Sequence, residues 1–561
     1  IGGDPFAQRQ KVSQLRAETF VQMERYRLAA QQYEQHLSDY PQSSARVLFD
    51  AIEAYKTAFP KRKADRARLL RAIIVRFPHT DSARRADKAL KQLPKKMQRF
   101  TIRELRTRLN EQFDAQWHQR ARTTANELQR RTAIGSDAWC EAGFKKVRIL
   151  EKKKKWGAAT SAYGELVPKC EYSGSGVEIL YFGAKRRMHR GLTPGAIQWF
   201  RKMRNLSPNH RYVDDTYRWE GRILRDQGYD AKADEMLRKV VGFKAGDMGE
   251  DAAWDLVWGA VLDGKLKRAA RLAEQMVDKI GWEKKSYTSG RLLYWLGRIE
   301  QRRGKRVRAA QAYGRCVRSH PHSYYGLLAL QRLKSMDKKA AKRVLREAEK
   351  SSVIPSIREA NRKRLQTDDM KRAVSLLRLG LTRFARAELS AQGLGLGKDP
   401  SGDWLLALLY NHVEDYTRSV RAGLRHPTYA QYPPQGNHRE RWELAHPRPN
   451  AYRSAVQRAA RAHNVDEALV WAVMRTESHF RPTALSHASA VGLMQLIVPT
   501  AKAMARQEGV SGSIDRNRLQ DPELSIRLGT RYLGKLSRRF EGHPALIAAG
   551  YNAGPGGPRK W

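Results

Sequence analysis

Apolar residues recur at three- and four-residue steps through most of the chain. Examples are Ala29-Ala30-Gln31-Gln32-Tyr33-Glu34-Gln35-His36-Leu37, Leu69-Leu70-Arg71-Ala72-Ile73-Ile74-Val75 and Ala253-Trp254-Asp255-Leu256-Val257-Trp258. That is the period of amphipathic helices. Alternating runs that would mark strands are almost absent, so residues 1–390 are predicted to be helical. A punctuation recurs with them: Tyr40-Pro41-Gln42-Ser43, Phe77-Pro78-His79-Thr80, Ser207-Pro208-Asn209-His210 and His320-Pro321-His322-Ser323. Proline stops one helix, and the polar residues after it can cap the next. Val167-Pro168 reads as a member of the same series.

Several of these intervals are roughly 37–40 residues, near the helix-hairpin repeats of about 34–47 residues. The pairs Ala29-Ala30, Ala158-Ala159 and Ala309-Ala310 fall where such hairpins pack closely. The spacing loosely resembles tetratricopeptide-type repeats without their strict consensus. The expected fold class is all-α: a degenerate helical-hairpin solenoid, then a second helical domain.

Residues 391–440 are expected to be a linker region with one helix, Trp404 to Tyr416. The run Gly393-Leu394-Gly395-Leu396-Gly397 lacks the Lys-Ser/Thr of a phosphate loop and reads as a turn. Pro427, Pro433, Pro434, Gly436, Pro447 and Pro449 then interrupt any long element, which places a domain boundary near residue 440. The C-terminal domain is expected over 441–561.

The chain has 561 residues, of which 41% are hydrophobic, enough for several cores. No apolar run is long enough to span a membrane. Lys and Arg number 107 against 57 Asp and Glu, a net charge of +50, so an acidic partner is expected. Nucleic acid, an anionic membrane and an acidic wall polymer all fit that charge. The densest basic run, Lys152-Lys153-Lys154-Lys155-Trp156, reads either as a solvated helix end or as part of a positive surface. Three cysteines exclude a disulfide scaffold or a cluster-based metal fold. Cys140 and Cys170 stand about one hairpin apart and read either as a disulfide, if the protein is exported, or as two buried thiols. Cys316 has no obvious mate. No trusted metal-ligand spacing appears among the His residues, and no cofactor is expected.

From Tyr452 onward the chemistry sharpens. Asp466-Glu467-Ala468-Leu469-Val470-Trp471-Ala472-Val473-Met474 is apolar nearly all round after an acidic first turn, the mark of a buried helix. Glu477 follows at its C-terminal end, with Pro482 limiting the helix. Desolvation and the negative helix end both raise a carboxyl's pKa, as a general acid requires. The competing reading is a helix-end Glu paired with Arg475 or Arg481. A run of small residues follows, Ala484 to Ala490, and then Val491-Gly492-Leu493-Met494-Gln495-Leu496. Farther on, Gly550-Tyr551-Asn552-Ala553-Gly554-Pro555-Gly556 sets an aromatic beside an amide, suited to sugar stacking and acetamido hydrogen bonds.

These two segments, in this order, resemble the soluble lytic transglycosylases of Gram-negative bacteria, which have a goose-type, lysozyme-like catalytic domain of family 1. The resemblance covers about 444–556, roughly a fifth of the chain. More weakly, His320 to Ala329 resembles the end of that family's superhelical domain. It implies cleavage of the peptidoglycan glycan strand between N-acetylmuramic acid (MurNAc) and N-acetylglucosamine (GlcNAc), with no water added and a 1,6-anhydro end formed. It further implies Glu477 as acid and then base, Ser486 and Gln495 lining the sugar site, and Met494 packed on the glutamate or sugar. Tyr551 would position the glutamate or substrate, and Asn552 would contact the acetamido group. Ser478 would fix the turn beside Glu477, and His479 would be a spectator.

The implied partners are glycan strands with acidic stem peptides, with peripheral membrane or cell-wall complexes also open and no nucleic acid. The implied location is the periplasm, after removal of a targeting segment that Ile1-Gly2-Gly3-Asp4 does not contain. Single-acid chemistry agrees with the residues. A hydrolase usually needs a second carboxylate about 5–9.5 Å away, whereas Asp466 and Glu467 lie roughly 15 Å back along the helix. The next acid downstream is Glu508.

The chain departs from the family pattern at Ser489, usually Gly, and at Ile497-Val498-Pro499, where the Pro is displaced by one. It also ends at Trp561, where the family usually continues. A non-catalytic peptidoglycan-binding scaffold, plain hydrolysis of the same bond and a nucleic-acid-binding solenoid are the competing readings.

Overall fold

The computed structural model describes residues 5–557, apart from 41–42, 79–80, 115–116, 244–247, 281–289, 351–353, 392–396, 398, 426–435 and 487–488. The chain divides into two compact units, Gln8–Leu345 and Arg346–Trp561 with Ile1–Ala7. Both are built of short helices in sequential hairpins, as the three-and-four spacing of apolar residues dictates. No helix among the described residues is long and apolar enough to cross a membrane.

One local device recurs through both units. Glu24, Lys154, Gly191, Gly228, Gly264, Gly304, Gly380 and Glu414 adopt positive φ at the end of a helix. The next residue's N–H reaches back to a carbonyl of that helix: Arg25 to Phe20, Lys155 to Leu150, Leu192 to Arg187, Tyr229 to Leu224, Lys265 to Ala260, Lys305 to Glu300, Leu381 to Leu376 and Asp415 to Tyr410. This is a left-handed helix cap, and it satisfies carbonyls the helix leaves free. Five residues after each left-handed residue comes a small side chain of 0% exposure: Ala29, Ala159, Ala196, Ala233, Ala269, Ala309, Ala385 and Ser419. The turn reverses the chain, and the small residue lets the returning helix pack closely. Gly183, Gly221, Gly259 and Gly297 recur every 38 residues, and a Cβ at Gly297 would come within 2.5 Å of the Tyr313 ring.

The proline punctuation works only in part. Ser323 caps the helix Tyr324–Met336, its Oγ accepting from Gly326 N at 2.9 Å. Ser44, one residue past the expected Ser43, caps Ala45–Ala58. No side chain caps Val213–Asp226 after His210. Pro168 does not end a helix: it lies inside Trp156–Cys170. In the last turn only one helical bond is lost to its missing N–H. Pro41, Gln42, His79 and Thr80 lie outside the described residues.

A disulfide joins Cys140 and Cys170, and Cys316 is a buried free thiol. Lys152 to Lys155 are exposed around the turn that the left-handed Lys154 makes.

In the second unit, residues 391–440 carry more than one helix. Pro400–His412 is followed by Tyr416–Arg425 and by the start of Gly436–Ala445. Tyr416–Arg425 buries Ser419, Val420, Ala422 and Gly423, small residues that give little hydrophobic period to read. Gly397 has φ 88° and donates to the Asp403 carboxylate at 2.9 and 3.0 Å. The rest of its glycine run, and Pro427, Pro433 and Pro434, lie outside the described residues.

Two cores are distinct in this unit. One gathers Ile357, Trp404, Leu405, Leu409 and Leu444. The other gathers Val456, Trp471, Met474, Met494, Leu528 and Ile547. The second core holds the one departure from all-helical structure among the described residues. Two-residue strands Ala490–Val491 and Leu496–Ile497 pair antiparallel, Ala490 opposite Ile497 and Val491 opposite Leu496.

Candidate active site

The helix Glu467–Ser478 starts at Asp466, whose side chain accepts from Ala468 N at 2.7 Å. Val470, Trp471, Val473 and Met474 are buried, which fixes the helix in the core. Its last turn ends sharply, because His479 and Phe480 both adopt positive φ, 47° and 61°. Burying Phe480 to 3% exposure, against Trp471 and Tyr416, holds that uncommon geometry. Ser478 is buried and donates to Met474 O at 3.0 Å. His479 is half-buried, and its carbonyl accepts from Thr417 Oγ1 at 3.0 Å.

Glu477 is half-buried in this turn. Burial raises its carboxyl above the usual carboxylate range. No cation among the described residues lies within ion-pair distance of it. Arg475 instead sends Nε to Ala445 O at 2.8 Å. The paired-surface-glutamate reading therefore does not describe it.

The segment 484–497 folds back on itself. Ser486 N donates to Ala490 O at 2.9 Å, and Ser486 Oγ accepts from Ala490 N at 3.0 Å. Ser489 takes the left-handed φ of 65° that explains why glycine suits the position. Gly492 sits at φ 82°, and a Cβ there would lie 2.1 Å from Leu519 O, so only glycine fits. Gln495, at φ 47°, donates through Nε2 to Ala484 O at 3.0 Å and Gly492 O at 2.9 Å. Both amide protons hold the loop, which leaves its Oε1 as acceptor. Val498–Gln507 begins directly after the second strand, with Pro499 tolerated in its first turn.

Met494 is 0% exposed. Its side chain turns into the core against Gly529, where an added Cβ would meet it at 2.6 Å. Its backbone is what reaches the site: Met494 N donates to Ser525 Oγ at 3.2 Å, and Met494 O accepts from Tyr551 Oη at 2.7 Å. Tyr551 stands on the helix Pro544–Ala553, packed on Tyr532 with ring centroids 5.4 Å apart. Burial raises its phenol well above the usual range, and the Glu477 charge adds to that. Tyr551 thus lies within reach of the Glu477 charge. Asn552 follows on the same helix, exposed.

Glu508 belongs elsewhere. Burial alone would raise its carboxyl, but hydrogen bonds from Arg527 and Arg531 and the charge of His463 outweigh that and hold it below its usual range. Ser525 is the residue that sequence reasoning missed. It is 0% exposed, and its link to Met494 spans 31 positions of chain, with no local signal.

Residues 454–561 match the family model of the Transglycosylase SLT domain, so this site lies in a lysozyme-like SLT domain that follows many helical hairpins. The chain is 43% identical over 122 aligned positions to the membrane-bound lytic murein transglycosylase C of Salmonella typhimurium, covering 19% of this chain and 32% of that protein. It is 42% identical over 118 residues to the protein of the same description from Cronobacter sakazakii, with the same coverage. The chain thus spans 32% of the length of these curated relatives. Among solved structures, the 70 kDa soluble lytic transglycosylase of Escherichia coli aligns over 99% of this chain and 90% of its own, at 17% identity and a TM-score of 0.46. The lytic transglycosylase Slt of Pseudomonas aeruginosa, in an inactive mutant form, aligns over 95% and 88%, at 18% identity and a TM-score of 0.39.

Proposed function

We propose that the chain is a peptidoglycan lytic transglycosylase, cutting the MurNAc-β-1,4-GlcNAc bond without water in wall turnover or remodelling. The observation that carries this is Glu477: a half-buried carboxyl with a raised pKa, no neighbouring cation among the described residues, and Tyr551 coupled to it. A carboxyl of that kind stays protonated closer to neutral pH and can deliver its proton.

Glu477 gives that proton to the glycosidic oxygen as the bond from the muramyl C1 breaks, and GlcNAc leaves as an alcohol. The substrate's acetamido carbonyl stabilises the positive charge at C1. The Glu477 carboxylate then takes the proton of the muramyl 6-hydroxyl, whose oxygen bonds C1 and closes the 1,6-anhydro ring. No second protein carboxylate is required. Asp466 caps the far end of the Glu477 helix, and Glu508 is held by two arginines.

In this reading Ser486, Gln495 and Asn552 meet the sugars, with Gln495 Oε1 as an acceptor for an acetamido N–H. Met494 acts through its carbonyl, holding the Tyr551 hydroxyl. Residues 441–561 form the catalytic module, which the core around Trp471 and Met494 supports. Residues 1–390 form the hairpin array that engages the strand, 391–440 join the two, and the +50 charge suits the carboxylates of stem peptides. The periplasm is the place where such a substrate is met.

Mass spectrometry of the products from purified sacculi tests this. Soluble muropeptides with 1,6-anhydro ends, absent with Glu477→Gln, are expected. Reducing ends would make the enzyme a hydrolase. Binding to sacculi without any product would make it a scaffold.

A further inference from the structure

Two neighbouring hairpin turns of the first unit border one cavity of about 780 Å³. The turn at Gly264 joins Gly249–Leu262 to Leu266–Ile280, and the turn at Gly304 joins Arg291–Arg302 to Arg306–Ser319. Six cations stand in the cavity walls: Lys265, Lys267, Arg268, Arg271, Arg303 and Arg308. Three of them are engaged. Lys265 pairs with Asp263 at 3.2 Å, Arg303 pairs with Glu300 at 2.8 Å, and Arg268 pairs with Asp234. Lys267, Arg271 and Arg308 are exposed, and no acid among the described residues lies within ion-pair distance of them. The carboxylates in the walls are Glu300, already held by Arg303, and an exposed Glu274. A positive excess remains, and it draws an anion.

The rim of the cavity is aliphatic. Leu262 is 70% exposed and Val307 is 72% exposed. They flank the left-handed Gly264 and Gly304. The hairpin does not require them, because backbone bonds close the turn and the buried Ala269 and Ala309 do the packing. Exposed apolar residues also follow the three preceding turns of this kind: Trp156 after Lys154, Leu192 after Gly191 and Tyr229 after Gly228. Short turns make consecutive helices antiparallel, so these turns share one edge of the array.

We propose that this edge docks on an anionic lipid bilayer, with the phosphodiester headgroup of an acidic phospholipid in the cavity and Leu262 and Val307 against the acyl boundary. Guanidinium and ammonium groups bond phosphate oxygens, while their apolar stems lie along the lipid. Exposed apolar side chains alone bind a membrane weakly, and a basic patch beside them makes the attachment stable. The rings of Trp156 and Tyr229 suit the headgroup level farther along the edge. A nucleic acid gains from the cations but nothing from an aliphatic rim. Its bases stack on aromatic side chains, and no aromatic among the described residues lines this cavity. The site lies in the first unit and takes no part in the Glu477 reaction, so it stands or falls apart from the peptidoglycan reading.

Flotation of the full chain with lipid vesicles tests this. One set holds phosphatidylglycerol and phosphatidylcholine in equal parts, and the other holds phosphatidylcholine alone. Binding to the acidic set is expected to be stronger by about a hundredfold or more, the scale of three basic side chains at an anionic surface. The net charge of +50 attracts any anionic surface, so two variants that lose equal charge are compared. Lys267→Ala/Arg271→Ala/Arg308→Ala should lower binding to the acidic vesicles by about a hundredfold. Lys95→Ala/Lys96→Ala/Arg99→Ala, at exposed positions elsewhere in the same unit, should lower it by less than about threefold. Leu262→Ser/Val307→Ser keeps the charge and should lower it by about tenfold, while binding to duplex DNA, which has phosphates and no acyl chains, stays as in the parent. All these positions are exposed, and thermal melts check that the fold is kept. Equal losses in the two charge variants would mean attraction by net charge alone and overturn the proposal. So would a serine variant that binds acidic vesicles as the parent does, one that loses DNA binding to the same degree, or a parent without preference for the acidic set. Release of the parent from the vesicles by excess glycerol phosphate at constant ionic strength would make this a site for a soluble phosphate and overturn the docking.

Discussion

The hydroxyl of Tyr551 donates to the main-chain carbonyl of Met494 over 2.7 Å. Two segments 57 residues apart in sequence are joined by that bond, and the Glu477 charge acts on the same phenol. The tyrosine is thus held through its hydroxyl by the backbone, and its phenol feels the charge of Glu477. Tyr551→Phe removes the bond and leaves Met494 O without its donor. We expect a loss of stability of about 1 kcal/mol and a fall in kcat of roughly 10- to 100-fold. Urea unfolding and initial rates on sacculi measure the two.

The pH dependence follows from Glu477. Its carboxyl must be protonated to act as an acid, and burial shifts its pKa upward. The rate should therefore fall as pH rises through that raised pKa, on a limb above the ordinary glutamate value of about 4.3. The sign for stability is the same. The unfolded chain ionises first, so stability declines as pH rises between the two pKa values. Glu477→Gln removes that loss. It should cut kcat by about 10²–10⁴ while keeping or raising the neutral-pH melting temperature. A variant that melts lower would show that the carboxylate is stabilising and our account of its burial wrong.

Ser489 holds φ at 65°, a strained position for a residue with a Cβ. Its hydroxyl accepts from Arg516 Nη2 at 3.2 Å, an exposed contact. Ser489→Gly relieves the strain at the expense of the hydroxyl's contacts, and a net gain of about 0.5–1 kcal/mol is expected. Equal or lower stability by denaturant titration would mean that the hydroxyl contacts matter more than the backbone.

The Cys140–Cys170 bond closes a 30-residue separation between adjacent helices. Reducing it, or Cys140→Ser/Cys170→Ser, should destabilise the first unit by about 2–4 kcal/mol. Calorimetry with and without reductant reads this. A melt indifferent to reductant would show that the neighbouring packing suffices.

Much of this architecture is legible in the apolar spacing, because a helix with one buried stripe writes its period into the chain. The Glu477 helix was readable for that reason, as was its acidic start at Asp466. What escaped depends on contacts that spacing does not record. Tyr416–Arg425 is buried through Ser419, Ala422 and Gly423, which hardly register as apolar. Strands of two residues are too short to show a period of two. The resemblance implies Met494 packed on the glutamate or the sugar. The structure adds that its side chain fills the space that Gly529 leaves and that its carbonyl meets Tyr551. Ser525 could be placed only once a distant helix was seen to pack on the Met494 peptide.

The left-handed turn with its small residue five positions on is closed entirely by bonds inside its own hairpin. Each hairpin's geometry is thereby independent of how many others precede or follow it, as in other arrays whose units meet only their neighbours. Length then becomes a free variable. Duplication or loss of a whole hairpin, at a join just after the left-handed residue, changes the length of the array without any change to the turn. A chain built this way can be lengthened or shortened by evolution by copying one module, while the residues around Glu477 stay untouched.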